Sequence, residues 1–134
     1  MDEIKSYPLT EAQSKKVDEL NAGIQKIEEM LSKELPSDEG HILMEELQDR
    51  LNYLSYTPTL KGISAAVYNW AKGKVAEELI AQKLDVKETM LRLVIAGKMA
   101  YYEGMYERTE KAIRSLEVSI EGLRTMISYL KGKQ

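Results

Sequence analysis

The stretch TEKAIRSLEVSIEGLRTMISYL, residues 109–130, decides the fold. Its apolar residues Ile113, Leu116, Ile120, Leu123, Ile127 and Leu130 alternate steps of three and four, which sets them on one face of an α-helix. The same alternation runs back through Thr109, Tyr106, Tyr102 and Met99 to Ile95, five heptads in all. No proline follows Pro58, and Asp85-Val86-Lys87-Glu88 has the spacing of a helix cap, so one long C-terminal helix is expected. Isoleucine at the a positions (113, 120, 127) and leucine at the d positions (116, 123, 130) favour parallel two-stranded coiled coils, which makes a homo-oligomer an expectation.

Met105, Ala112, Ser119 and Met126 occupy the g positions, where a dimeric zipper would carry charge. The apolar face is therefore wide, and a wide face suits a bundle, within one chain or between chains, better than an isolated zipper. A straight helix over residues 86–130 would run about 67 Å at 1.5 Å per residue, whereas a compact chain of this length has a radius of gyration near ~14 Å. Either the helix breaks near Gly97 or Gly104, or the molecule is elongated and shares this face with another subunit. Gly23, Gly73, Gly97, Gly104 and Gly122 fall at mid-helix positions. Each costs about 1 kcal/mol relative to alanine, so close approach of another backbone, or a hinge, is expected there.

Upstream, Pro8, Pro36 and Pro58 divide the chain. Thr10-Glu11-Ala12-Gln13 has the spacing of a capping box, and Val17, Leu20, Ile24, Ile27 and Leu31 predict a first helix to about Leu35. Ser37 or Asp38 would cap a second helix with Met44, Leu47, Leu51 and Leu54 inward, and the short connection predicts an antiparallel hairpin. Beyond Pro58, Ile63, Ala66, Val67, Trp70, Leu79 and Ile80 suggest a third helix, weakened by Gly62 and Gly73. The expected fold class is all-α, a bundle of about four helices forming one domain over residues 1–134.

With 43% hydrophobic and 31% charged residues, the 134-residue chain is too apolar for disorder and too charged for a membrane protein. No run approaches the roughly 20 apolar residues that span a bilayer, and Met1-Asp2-Glu3-Ile4-Lys5 lacks the pattern of an export signal. The absence of cysteine fits a reducing compartment, so a cytoplasmic location is expected. The net charge of −3 conceals an asymmetry: residues 1–57 carry 6 Lys/Arg against 13 Asp/Glu, residues 58–134 carry 13 against 9. This describes an acidic hairpin lying against a basic helical pair, or a basic surface kept for an anionic partner.

Catalytic constellations are not evident. His41 is the single histidine, and although Asp38, Glu39, Glu45 and Glu46 surround it, carboxylate-bridged metal bundles need paired Glu-x-x-His elements. In Glu28-Glu29, Glu45-Glu46 and Glu77-Glu78 the adjacent side chains point about 100° apart, so all three read as solvated faces. No Gly-x-Ser-x-Gly elbow and no phosphate-binding glycine loop is present. No enzyme activity, cofactor or metal is expected. Tyr68-Asn69-Trp70-Ala71-Lys72-Gly73-Lys74 interleaves rings with lysines, a combination that stacks bases and attracts phosphate, although Trp70 also suits the core. Tyr101, Tyr102, Met105 and Tyr106 suit either core or a protein interface.

The segment Tyr106-Glu107-Arg108-Thr109 through Ser119-Ile120-Glu121-Gly122-Leu123-Arg124-Thr125-Met126-Ile127-Ser128-Tyr129-Leu130-Lys131 resembles the ends of short helical proteins of tailed bacteriophages. The resemblance implies a phage or prophage accessory protein acting in the host cytoplasm, and carries no site residues with it. Three functional expectations follow. The first is a helical interaction or scaffold protein binding a protein partner or itself through Tyr102, Met105, Tyr106, Ile113, Leu116, Ile120, Leu123, Ile127 and Leu130. The second is a nucleic-acid accessory factor of recombination or replication using Trp70, Lys72, Lys74, Arg108, Lys111 and Arg114. The third is an inhibitor docking on a host protein through the acidic hairpin.

Overall fold

The computed structural model describes residues 9–82 and 87–132, which contain four helices and no strand. They are α1 (Glu11–Ser32), α2 (Gly40–Leu54), α3 (Thr57–Gln82) and α4 (Glu88–Gly132). The fold is the all-α bundle that the periodicity predicts. Asp85 and Val86, part of the expected cap of α4, lie outside the described residues.

α4 is one unbroken helix of 45 residues, about 67 Å long at 1.5 Å per residue. Neither Gly97 nor Gly104 interrupts it, which removes the first of the two alternatives, a break. The elongation is accommodated by laying all three other helices against it. Met99, Tyr102, Met105, Ile113, Leu116 and Ile120 bury with Leu20, Ile24, Ile27 and Met30 of α1 and Leu60, Ile63, Val67, Ala71 and Val75 of α3. Toward its C-terminus, Leu123 and Ile127 bury against Leu43 of α2. The chain's own helices thus cover the heptad face in succession, and its width at Met105 and Ala112 is what lets two helices share it.

The start of α1 has the capping box read from the sequence: the Gln13 backbone N–H donates to Thr10 Oγ1 at 3.1 Å, and the Thr10 N–H donates to Gln13 Oε1 at 3.0 Å. At α2 the N-cap is Glu39, with no side-chain capping bond, in place of the expected Ser37 or Asp38. The buried face of α2 is also rotated from the expected one. Met44 is 51% exposed, and Leu43, one residue earlier, is fully buried together with Glu46 and Arg50. Pro58 is the second residue of α3, in a first turn where a missing N–H costs nothing, so α2 and α3 are separated only by the turn at Ser55 and Tyr56.

α1 and α2 pair as an antiparallel hairpin through polar side chains. Arg50 Nη2 donates to the Met30 carbonyl at 2.7 Å, Tyr53 Oη to the Gly23 carbonyl at 3.2 Å, and Tyr56 Oη to Glu19 Oε2 at 2.8 Å. At Gly23 a Cβ would stand 2.5 Å from Leu60 Cδ2 and 3.2 Å from Tyr53 Oη, so this glycine marks a close approach. At Gly73 of α3 and at Gly97, Gly104 and Gly122 of α4 a Cβ would meet open space, so within the described chain no other backbone approaches closely at these positions.

The Tyr56–Glu19 contact makes stability depend on pH at both extremes. The phenol's hydrogen bond, aided by Lys16 and opposed by burial, holds the Glu19 carboxyl below its ordinary range. That contribution is present above the ordinary carboxylate range and is lost as pH falls through the lowered value. Donation to Glu19, then burial, pushes the Tyr56 phenol up, so its contribution is complete below the ordinary phenol range and is lost as pH rises through the raised value. Tyr56→Phe is expected to flatten both limbs of the denaturation midpoint plotted against pH, leaving on the alkaline side the limb from Tyr53, whose phenol burial raises. Unchanged limbs would place the coupling elsewhere.

Candidate functional site

The seam residues have a partner within the chain. Tyr102, Met105, Ile113, Leu116, Ile120, Leu123 and Ile127 are buried, Leu130 is half-buried, and Tyr106 is 37% exposed. Of the nine, Tyr106 and Leu130 are the two that a second molecule could reach without opening the bundle.

The nucleic-acid candidates differ in their surroundings. Trp70 is half-buried against the main core. Lys72 is exposed, while Lys74 on the same helix lies 3.7 Å from Glu77. Arg108 turns toward α1, where its guanidinium binds both carboxylate oxygens of Glu28, at 2.6 and 3.4 Å. Lys111 and Arg114 are exposed, and Arg114 shares a shallow groove with Lys61, Glu110 and Glu117. Acidic residues therefore stand beside Lys74, Arg108 and Arg114, and offset the attraction of these three for phosphate. The Arg108–Glu28 pair does join the acidic and basic halves, as the charge asymmetry suggests. His41 is exposed, and among the described residues no three His, Asp or Glu side chains gather as a metal would need. No helix among the described residues is long and apolar enough to cross a membrane.

Two outward features bring together residues that the sequence reading treats separately. The first is a stripe on α4 formed by Leu93, Gly97, Ala100 and Gly104, spaced by four, three and four so that one face carries all of them. All are exposed, Leu93 by 62%, with Met90 beside them at 53%. Ala100 and Gly104 border a shallow groove of about 300 Å³ that Asn21, Tyr101 and Arg108 also line. No protein family matches the chain, and no curated protein or solved structure matches it. The residues themselves must therefore carry the functional argument.

The second feature is an open groove of about 550 Å³ between α3 and α4, lined by Ala65, Tyr68 and Asn69 from one helix and Glu103, Tyr106 and Glu107 from the other. The Tyr68 and Tyr106 rings stand 5.9 Å apart, tilted by 53°. Sequence signals for both features exist. Met90 and Leu93 fall out of phase with the seam, and Glu103 and Glu107 place like charges one turn apart on either side of Tyr106.

Proposed function

We propose that this chain is a non-catalytic helical interaction protein that self-associates, two copies meeting through the outward stripe of α4. Support comes from Gly97 and Gly104. A mid-helix glycine costs about 1 kcal/mol relative to alanine, and no contact within the described chain requires either residue to lack a side chain. A second helix laid on the stripe supplies that requirement, since small residues let backbones approach closely. The stripe is also complementary to itself. In an antiparallel two-fold pairing centred between positions 98 and 99, Leu93 of one copy faces Gly104 of the other, and Gly97 faces Ala100. Large meets small at each end. On the resemblance of residues 106–131, we read the protein as a phage or prophage accessory component working in the host cytoplasm.

Light scattering across a dilution series tests this reading. The molar mass is expected to rise from the 15.3 kDa of one chain toward twice that value. Gly97→Gln should hold the protein monomeric at every concentration while stabilising it by up to ~1 kcal/mol, because glutamine is the better helix former but blocks close approach. Leu93→Glu should also give a monomer. A single-chain mass at all concentrations for the unaltered protein would refute the proposal.

A further inference from the structure

We propose that the groove between Tyr68 and Tyr106 is a receptor site for an arginine side chain presented by a partner protein. Each helix contributes a face at i, i+3 and i+4: Ala65, Tyr68 and Asn69 from α3, and Glu103, Tyr106 and Glu107 from α4. Such spacing brings three side chains to one spot on a helix surface. Ala65 is the small member, and its size leaves the groove open where the other five positions wall it.

The wall chemistry selects a planar cation. Tyr68 and Tyr106, their rings 5.9 Å apart and tilted by 53°, line the groove with aromatic surface, which attracts a positive charge. Glu103 and Glu107 repel one another at i, i+4, and among the described residues neither forms an ion pair. Lys72 and Lys111, each a turn away from the groove on its own helix, leave both carboxylates unpaired. The contrast with the opposite side of α4 is direct: there Arg108 is matched by Glu28 from α1. At this groove, among the described residues, no cation lies within ion-pair distance of Glu103 or Glu107. A guanidinium satisfies the groove better than an ammonium, since it stacks on a ring and bonds two carboxylate oxygens with one planar fork. Asn69 adds a carbonyl acceptor for a remaining N–H. The same carboxylates exclude a phosphate, so the groove is unsuited to nucleic acid.

The test is a nuclear magnetic resonance titration of the whole chain with three blocked peptides, Ac-Gly-Arg-Gly-NH2, its lysine counterpart and its citrulline counterpart. Citrulline keeps the shape of arginine without the charge. The arginine peptide is expected to give saturable shifts confined to residues around 65–69 and 103–107, the lysine peptide weaker ones, and citrulline none. Glu103→Gln with Glu107→Gln should weaken arginine binding at least tenfold, as should Tyr106→Ala, whereas Tyr106→Phe, which keeps the ring, should stay within about twofold. All of these positions are at least partly exposed, and circular dichroism of each variant verifies its helix content. Equal binding of citrulline, indifference to the glutamate changes, or shifts elsewhere on the surface would overturn the proposal. So would the absence of saturable shifts with the arginine peptide. Leu93→Glu should leave arginine binding intact, which separates this site from the self-association stripe.

Discussion

Leu116→Ala and Leu123→Ala should each lower the free energy of unfolding by about 2–5 kcal/mol, through lost transfer energy and the cavity left behind. Leu116 should sit toward the upper end of that range. It is fully buried in the main cluster, to which α1, α3 and α4 all contribute, and a core closed by several helices cannot readily collapse into the space. Leu123 packs in the smaller cluster, where Leu43 and Ile127 are its buried companions and Leu47, Met126 and Leu130 are partly open to solvent, so relaxation should recover part of the loss. Arg114→Ala and Glu121→Ala should stay within about 0.5 kcal/mol, because Glu121 and its partner Arg124 are solvent-exposed and Arg114 lies at the surface. Urea denaturation of the four variants measures the contrast. Equal small losses would mean that α4 is not the spine of the core.

Arg50→Ala should cost about 3–5 kcal/mol, as expected when one partner of a buried ion pair is removed. The Arg50 and Glu46 side chains are 5% and 7% exposed and meet at 3.1 Å. The guanidinium also donates to the Met30 carbonyl in the last turn of α1, a helix with no basic residue of its own in that turn. Arg50 therefore brings a positive charge to the negative end of α1's dipole and satisfies a terminal carbonyl. Without it, Glu46 retains only Lys33, at 3.3 Å and half in solvent. Replacing both charges, as in Glu46→Met with Arg50→Met, should cost markedly less than Arg50→Ala alone, since no buried carboxylate is stranded. Chemical denaturation of single and double variants decides. A double variant as unstable as the single would show that packing of the arginine stem, rather than its charge, holds the hairpin together.

The same pair explains where the sequence is hard to read. Along α4, apolar residues mark the buried face at almost every turn, so Ile113 through Ile127 can be placed from spacing alone. In α2 two of the buried positions are Glu46 and Arg50. A reading that puts charges outside then rotates the helix toward Met44 and overlooks Leu43. Glu28 and Glu78, taken for solvated residues, in fact reach Arg108 and Lys98 on α4. Periodicity records which residues avoid water, and it is silent about charges that find one another. In α3 the difficulty is alanine: Ala65, Ala66, Ala71 and Ala76 surround the helix, so apolar character is spread round it and the phase is blurred. Ile80, expected inward, is 76% exposed, while Leu60, Ala71 and Val75 join Ile63 and Val67 in the core. The two candidate surfaces were obscured for another reason. Whether Gly97 and Gly104 face a neighbour, and whether Glu103 faces Tyr68, depends on how α3 and α1 are disposed about α4, which no local spacing records.

That α1, α2 and α3 all lean on α4 also fixes when their core can close as the chain is made. A ribosome delivers α1, α2 and α3 first, and at about 5–20 residues per second it needs several seconds more to deliver the helix that covers them. During that interval Leu43 lacks Leu123 and Ile127, and the faces of α1 and α3 destined for Tyr102, Ile113 and Leu116 remain in water. The nascent chain is consequently most vulnerable to aggregation and to holding chaperones just before α4 emerges, and a stop codon placed within α4 should release a product that cannot close its core.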